Sequence, residues 1–216
     1  MDPIRLSRRS LDEAKRDMGE YAYSGQFEQS PIPKGGGMFK TDKIEMVPAA
    51  PKNMVCARFW DKAGTGGGGC YTVGVKMGRA PVTGDIYIMD VVRGQWEAST
   101  REQIIKQTAE ADSPLTIIGL EQEPGSGGKE SAQATVRNLA GFRVRTERPT
   151  GDKVTRADPF AVQVNGGNVK MVVGEWNRAY LNELQFFPYS TYKDQVDASS
   201  GAFLIVARAR TFVGAL

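Results

Sequence analysis

Residues 54–61 read MVCARFWD, a largely apolar run closed by an acid. A run of this length bounded by turn residues is the pattern of a buried strand. AGTGGGG (63–69) follows as a turn or flexible loop, and CYTVGVKMG (70–78) alternates as a second strand. PVTGD (81–85) is a turn, and IYIMDVVRG (86–94) is a third strand. Three strands on short connections predict an antiparallel meander.

Downstream of it, Ser99 or Thr100 is placed to cap a helix running to Ala111. LTIIGLE (115–121) is almost wholly apolar, as expected of a central strand covered on both faces. The Gly-rich loop EPGSGGK (123–129) leads into a helix over about 130–140, and FRVRTER (142–148) is a short strand. Helices are predicted over Asp152–Val164 and Glu175–Phe186, with a short strand between them in NGGNVKMVVG (165–174). A last helix covers Asp194–Ala209, where Ala198, Ser199, Ser200, Gly201 and Ala202 permit close packing. The order indicates an α/β domain: a mixed sheet, three antiparallel strands and then parallel strands, flanked by helices.

The upstream region differs in character. Ser10–Gly19 predicts a short amphipathic helix, and YAYSGQFEQSPIPKGGGMFK (21–40) is rich in Gly, Pro and Gln. Residues 1–50 therefore read as a linker or arm, and residues 51–216 as the folded domain.

The composition narrows the chemistry. The 216 residues carry 28 Lys and Arg against 25 Asp and Glu, a net charge of +3, so the chain is no polyelectrolyte. No apolar run is long enough to span a bilayer, and no secretory signal is expected. Two cysteines, Cys56 and Cys70, are too few for a disulfide framework or a zinc site. Histidine is absent altogether, which excludes Ser-His-Asp and Cys-His catalysis and any His-ligated metal. Carboxylates must then carry much of any catalytic chemistry.

Two glycine-rich stretches invite a nucleotide-binding reading and fail it. In a phosphate loop, Gly stands five residues before Gly-Lys-Ser/Thr. Here Glu123 occupies the first Gly position, and Glu130 follows Lys129. GTGGGGC (64–70) precedes a strand, whereas a dinucleotide fingerprint opens a helix.

The acids form a better pattern. Asp61 closes the first strand, Glu121 closes LTIIGLE, and Glu123 lies two residues on, able to face the same side. Asp194 and Asp197 open the last helix one turn apart. Each alone has an ordinary role, as a turn cap or a complement to a helix dipole. In a mixed sheet, however, neighbouring strand ends and a following helix can bring such acids to one edge. Clustered carboxylates repel unless hard cations sit among them, and Mg²⁺ and Mn²⁺ prefer oxygen ligands. Two such ions about 4 Å apart clamp the attacking and leaving oxygens of phosphoryl transfer. Lys62, Lys129, Lys153, Arg156 and Lys193 lie near these acids in sequence and point to a phosphate-backbone partner.

The stretches GQFEQSPIPKGGGMFK (25–40), ARFWDKA (57–63), IIGLEQEPGSGGK (117–129), GDKVTRADPF (151–160) and NELQFFPYSTYKDQVDASSGAF (182–203) resemble the C-terminal nuclease domain of the large terminase subunit of tailed bacteriophages. The resemblance runs from about Gly25 to Ala207, with several motifs in order. It implies an RNase H-like fold and a metal-dependent endonuclease that cuts concatemeric double-stranded viral DNA during packaging. It implies Asp61, Glu121 and Asp194 as catalytic metal ligands for two Mg²⁺ or Mn²⁺ ions. Asp61 would bridge the ions, Glu121 would hold the one nearer the attacking water, and Asp194 would hold the other. Glu123 is a rival to Glu121. The family's C-terminal motif carries two consecutive acids; here the first is Lys193, and Asp197 is available as a substitute ligand. Lys153 and Arg156 are expected on phosphates, Lys129 toward the nucleophile, and Lys62 also on DNA.

The family's full subunit also carries a packaging ATPase domain and works with a small terminase subunit and a portal, in the host cell cytoplasm, with no membrane partner. No Walker A sequence occurs here, so the chain reads as the nuclease domain by itself. The same acids would serve a junction resolvase or RNase H-type nuclease, and the loss of one paired acid would suit a catalytically degenerate DNA- or portal-docking module.

Overall fold

The computed structural model describes residues 37–64 and 69–209, with positions 7, 10, 11, 13, 14 and 17. Of the predicted helix Ser10–Gly19, positions 10, 11, 13, 14 and 17 are helical. Its remaining positions, most of the arm (20–36) and loop residues 65–68 lie outside the described residues.

Seven strands form one sheet: β1 (Glu45–Val47), β2 (Val55–Asp61), β3 (Thr72–Arg79), β4 (Ile86–Gly94), β5 (Ile117–Glu121), β6 (Arg143–Glu147) and β7 (Val169–Val172). The helices are α1 (Ala98–Ala111), α2 (Ser126–Asn138), α3 (Lys153–Asn165), α4 (Asn177–Phe186) and α5 (Asp194–Arg208). The strand order is β1-β7-β4-β3-β2-β5-β6. β2, β3 and β4 are the expected antiparallel meander. β5 and β6 run parallel to β2, and β7 runs parallel to β4.

Three expectations are corrected. β5 is next to the edge strand β6, not central, yet both its faces are covered: Ile118 and Leu120 pack with Ile105 and Ala109 of α1 and with Leu139 at the end of α2, while Gly119 lies under α5. The domain boundary at residue 50 falls inside packed structure. β1 pairs with β7, Phe39 is buried against Phe160 and Phe187, and Met38 N–H donates to the Phe187 carbonyl at 2.9 Å. α2 begins at Ser126, taking in the glycines read as loop. A Cβ on Gly128 would stand 2.3 Å from the Glu123 carbonyl oxygen, so glycine lets the helix start close over the end of β5.

Strand alternation distributes β2 between two cores. Ala57 and Phe59 face α3, α4 and α5; Trp60 faces α1 and α2. Arg58 interrupts the apolar run and is buried, so it requires partners. It donates to Asp112 (2.7 and 3.2 Å), Asp90 (2.7 Å) and the Gly74 carbonyl (3.0 Å), with Lys76 also on Asp112 at 2.7 Å. The small residues of α5 bring that helix onto the sheet: a Cβ on Gly201 would meet Phe59 at 2.4 Å. No described helix is long and apolar enough to cross a membrane.

Candidate metal centre

β2 and β5 are parallel neighbours with Trp60 opposite Leu120. The next residue on each strand is an acid, so Asp61 and Glu121 end side by side at one sheet edge. Alternation turns Asp61 to the Phe59 face, where α5 packs. The first turn of α5 brings Asp194 and Asp197 to that edge, each 4% exposed.

This helix start is anchored from two sides. Tyr71 N–H, just before β3, donates to Asp194 Oδ2 at 2.8 Å. Glu183 of α4 accepts the backbone N–H groups of Gln195 (2.6 Å) and Val196 (3.1 Å), which a helix start leaves without internal acceptors. Glu183 was not singled out from the sequence. Its signal was legible: an acid three residues after Tyr180 and one before Leu184, on the buried stripe of α4.

Asp61, Glu121, Glu123, Asp194 and Asp197 line one cavity of about 240 Å³, together with Lys62, Cys70, Tyr71, Lys153 and Arg156. Burial pushes the Asp61 carboxyl well above its ordinary pKa, and the charges of Glu121, Asp197 and Asp194 push it further; Lys153 partly offsets them. Burial also raises Glu121, with Arg156 and Lys153 opposing and Asp197 and Glu123 adding to the rise. Glu123 is exposed at the rim.

The cations are placed differently from expectation. Lys62 is not free to meet DNA. Its side chain is 8% exposed, and its ammonium donates to Ser131 Oγ (2.9 Å), Thr135 Oγ1 (2.8 Å) and the Ser131 carbonyl (3.2 Å). The strand pleat turns it away from Asp61 and into α2. Lys153 and Arg156 do reach the cavity, but they hold Asp197: Arg156 lies 2.8 Å from one carboxylate oxygen and Lys153 pairs with the other. Burial opposes the Lys153 charge, but Asp197 overrides it and raises the pKa. Lys129 is exposed on the first turn of α2 and does not line the acid cavity.

Among the described residues, no three Asp, Glu or Cys side chains converge as ligands where they stand. The donor set nonetheless suits a hard divalent ion. It is all oxygen, largely withdrawn from water, and its charges repel one another in the absence of a cation. A second cavity of about 430 Å³ continues from Glu121 and Asp197 past Arg148, Arg156 and Arg208.

Known structures share this architecture. The large terminase nuclease of thermophilic phage G20c with bound magnesium is similar at a TM-score of 0.59, 15% identity, over 80% of this chain and 98% of that one. The P22 large terminase nuclease domain gives 0.61 and 13%, over 81% and 94%. The large terminase nuclease domain of bacteriophage SPP1 with bound manganese gives 0.54 and 12%, over 76% and 97%. At these identities the likeness establishes the fold. No curated protein sequence gives a significant match. The model of the terminase RNase H-like domain matches residues 58–204, from Arg58 of β2 to Leu204 of α5, and so includes Asp61, Glu121, Asp194 and Asp197. This chain belongs to the terminase RNase H-like domain family.

Proposed function

We propose that the domain is a Mg²⁺- or Mn²⁺-dependent endonuclease that cuts concatemeric double-stranded DNA during viral genome packaging. The observation that carries this reading is the buried Asp61 carboxyl sharing one cavity with Glu121, Asp194 and Asp197 in a chain without histidine. The magnesium and manganese bound by the G20c and SPP1 nuclease domains support the choice of metal.

Asp61, Glu121 and Asp194 would hold two ions, with Asp197 as a further ligand and Glu123 in reserve at the rim. Bound there, the ions would lower the pKa of a water and offset charge on the phosphate. The chain's own part is positional. Strand ends fix Asp61 and Glu121, Tyr71 N–H holds one oxygen of Asp194, and the Glu183 cap fixes the pitch of α5. Added positive charge in the cavity would free Lys153 and Arg156 from Asp197 and let them turn to the scissile phosphate. The packaging ATPase domain, small subunit and portal are the partners this role calls for, in the host cytoplasm.

A second reading, a docking module with a degenerate site, is favoured by Lys193 at the first acid position and by the cations on Asp197. Nicking of supercoiled plasmid separates the two. The nuclease reading expects cutting with Mn²⁺ or Mg²⁺, none with Ca²⁺ or excess EDTA, and none by Asp61→Asn. A parent protein inert with every divalent ion favours the docking module. Comparing duplex, branched and RNA–DNA hybrid substrates tests the resolvase and RNase H alternatives.

A further inference from the structure

The strand register carries the edge that holds Asp61 across to a second cationic position. Asp61 pairs with Val73, and Val73 pairs with Arg93 at the end of β4. Directly paired residues face the same side, so Arg93 projects to the α4 and α5 face, as Asp61 does. Two strand spacings of about 4.8 Å separate their backbones by roughly 10 Å.

Arg93 opens into a cavity of about 330 Å³ lined also by Asn182, Glu183, Ser190, Thr191 and Tyr192. Its guanidinium lies 3.5 Å over the Tyr71 ring and 5.5 Å from the Tyr192 ring, which meet edge to face at 4.8 Å. Stacking fixes the plane of the guanidinium but satisfies none of its N–H groups. Arg93 Nε is buried without a hydrogen-bond partner, and so is Ser190 Oγ in the same cavity. Glu183 does not answer Arg93, because its oxygens accept from Gln195 and Val196. Arg93 is thus the one cation among the described residues lining this cavity, held rigid by aromatic rings and unpaired. A planar, pre-oriented guanidinium with hydroxyls beside it matches a tetrahedral oxyanion.

We propose that this cavity is a second phosphate site. Arg93, with the Ser190 and Thr191 hydroxyls, takes a phosphodiester of the bound DNA strand close to the one at the acids. Tyr71 links the two sites, because its ring stacks on Arg93 while its N–H holds Asp194. The proposal rests on the nuclease reading for its ligand, DNA.

The test is equilibrium binding of a fluorescent 20-base-pair duplex across a salt series in excess EDTA, where nothing is cut. Arg93→Gln is expected to weaken binding about tenfold and to flatten the slope of log K on log salt by about 0.9. Thr191→Glu, at an exposed position that leaves the ring stack in place, is expected to weaken binding likewise and guards against misfolding of the first variant. Lys106→Gln, exposed on α1 against the other sheet face, is expected to change neither. Unchanged affinity and slope in both Arg93→Gln and Thr191→Glu overturn the proposal, as does parent protein that binds inorganic phosphate through Arg93 without any effect of Arg93 on DNA. Plasmid nicking is scored separately. Cutting by the parent with affinity and slope unchanged in both variants sinks the second site alone, whereas a slope flattened by Arg93→Gln in a protein whose parent never cuts supports the site and sinks the nuclease reading.

Discussion

Glu183 and Gln195 are joined twice: one oxygen of the Glu183 carboxylate accepts the Gln195 backbone N–H at 2.6 Å, and the other accepts its side-chain amide at 2.7 Å. Gln195 follows Asp194 directly, so this clamp sets where α5 starts and where Asp194 and Asp197 stand. Terminal N–H groups buried in the core would otherwise remain unpaired.

Glu183→Ala should therefore act on stability and on metal binding together. Loss of the cap is expected to cost about 1–2 kcal/mol, seen as a fall in Tm of about 2–4 °C per kcal/mol in a chain of this size. Mn²⁺ affinity by calorimetry should fall about 10- to 100-fold, as for removal of groups that orient ligands. Unchanged Mn²⁺ affinity with a lowered Tm would confine Glu183 to a structural role.

Asp61→Asn should reduce metal-dependent cleavage by at least about 10²–10³-fold and yet stabilise the metal-free protein. The folded-state pKa of Asp61 lies well above its unfolded value because of burial and three neighbouring carboxylates. The folded state thus holds the proton more tightly, and stability falls as pH rises from the unfolded carboxyl range near about 4 through the raised folded value. Thermal melts in EDTA at increasing pH should show this fall in the parent and a shallower one in Asp61→Asn. Equal slopes would mean that the acids do not repel as their placement demands.

Lys153 and Arg156 neutralise a carboxylate that is only 3% exposed at its side chain. The double variant Lys153→Ala, Arg156→Ala should lower the metal-free Tm, because it leaves Asp197 buried and unpaired, at a cost of about 1–3 kcal/mol. Saturating Mn²⁺ should shrink the difference from the parent, since the ion supplies the missing positive charge. A difference that persists in Mn²⁺ would show that the ion does not reach Asp197.

Gly201→Ala should destabilise by about 1–3 kcal/mol, because its Cβ would enter the Phe59 ring at 2.4 Å. The shift of α5 away from the sheet should lower cleavage more than DNA binding. Cleavage at the parent rate would show that the acids tolerate movement of the helix.

The residues that determine local structure also placed the acids. Apolar runs ending in Asp61 and Glu121 mark two strand ends, and the small residues after Asp197 mark a helix able to lie close to a sheet. The absence of histidine removes imidazole ligands and leaves the carboxylates to dominate the site. These features depend on neighbours two to four positions apart, where periodicity is written directly. Partners across the fold are not written that way. Lys62 adjoins Asp61 in sequence, but the pleat sends it to Ser131 and Thr135 on α2. Lys153 and Arg156 meet Asp197 about forty residues on, and Glu183 caps a helix other than its own. β1 joins β7 across more than a hundred residues, although its own segment reads as linker. Burial strips each charge of water and obliges it to find a counter-charge or hydrogen bond, and only the assembled sheet and helices decide which one lies within reach.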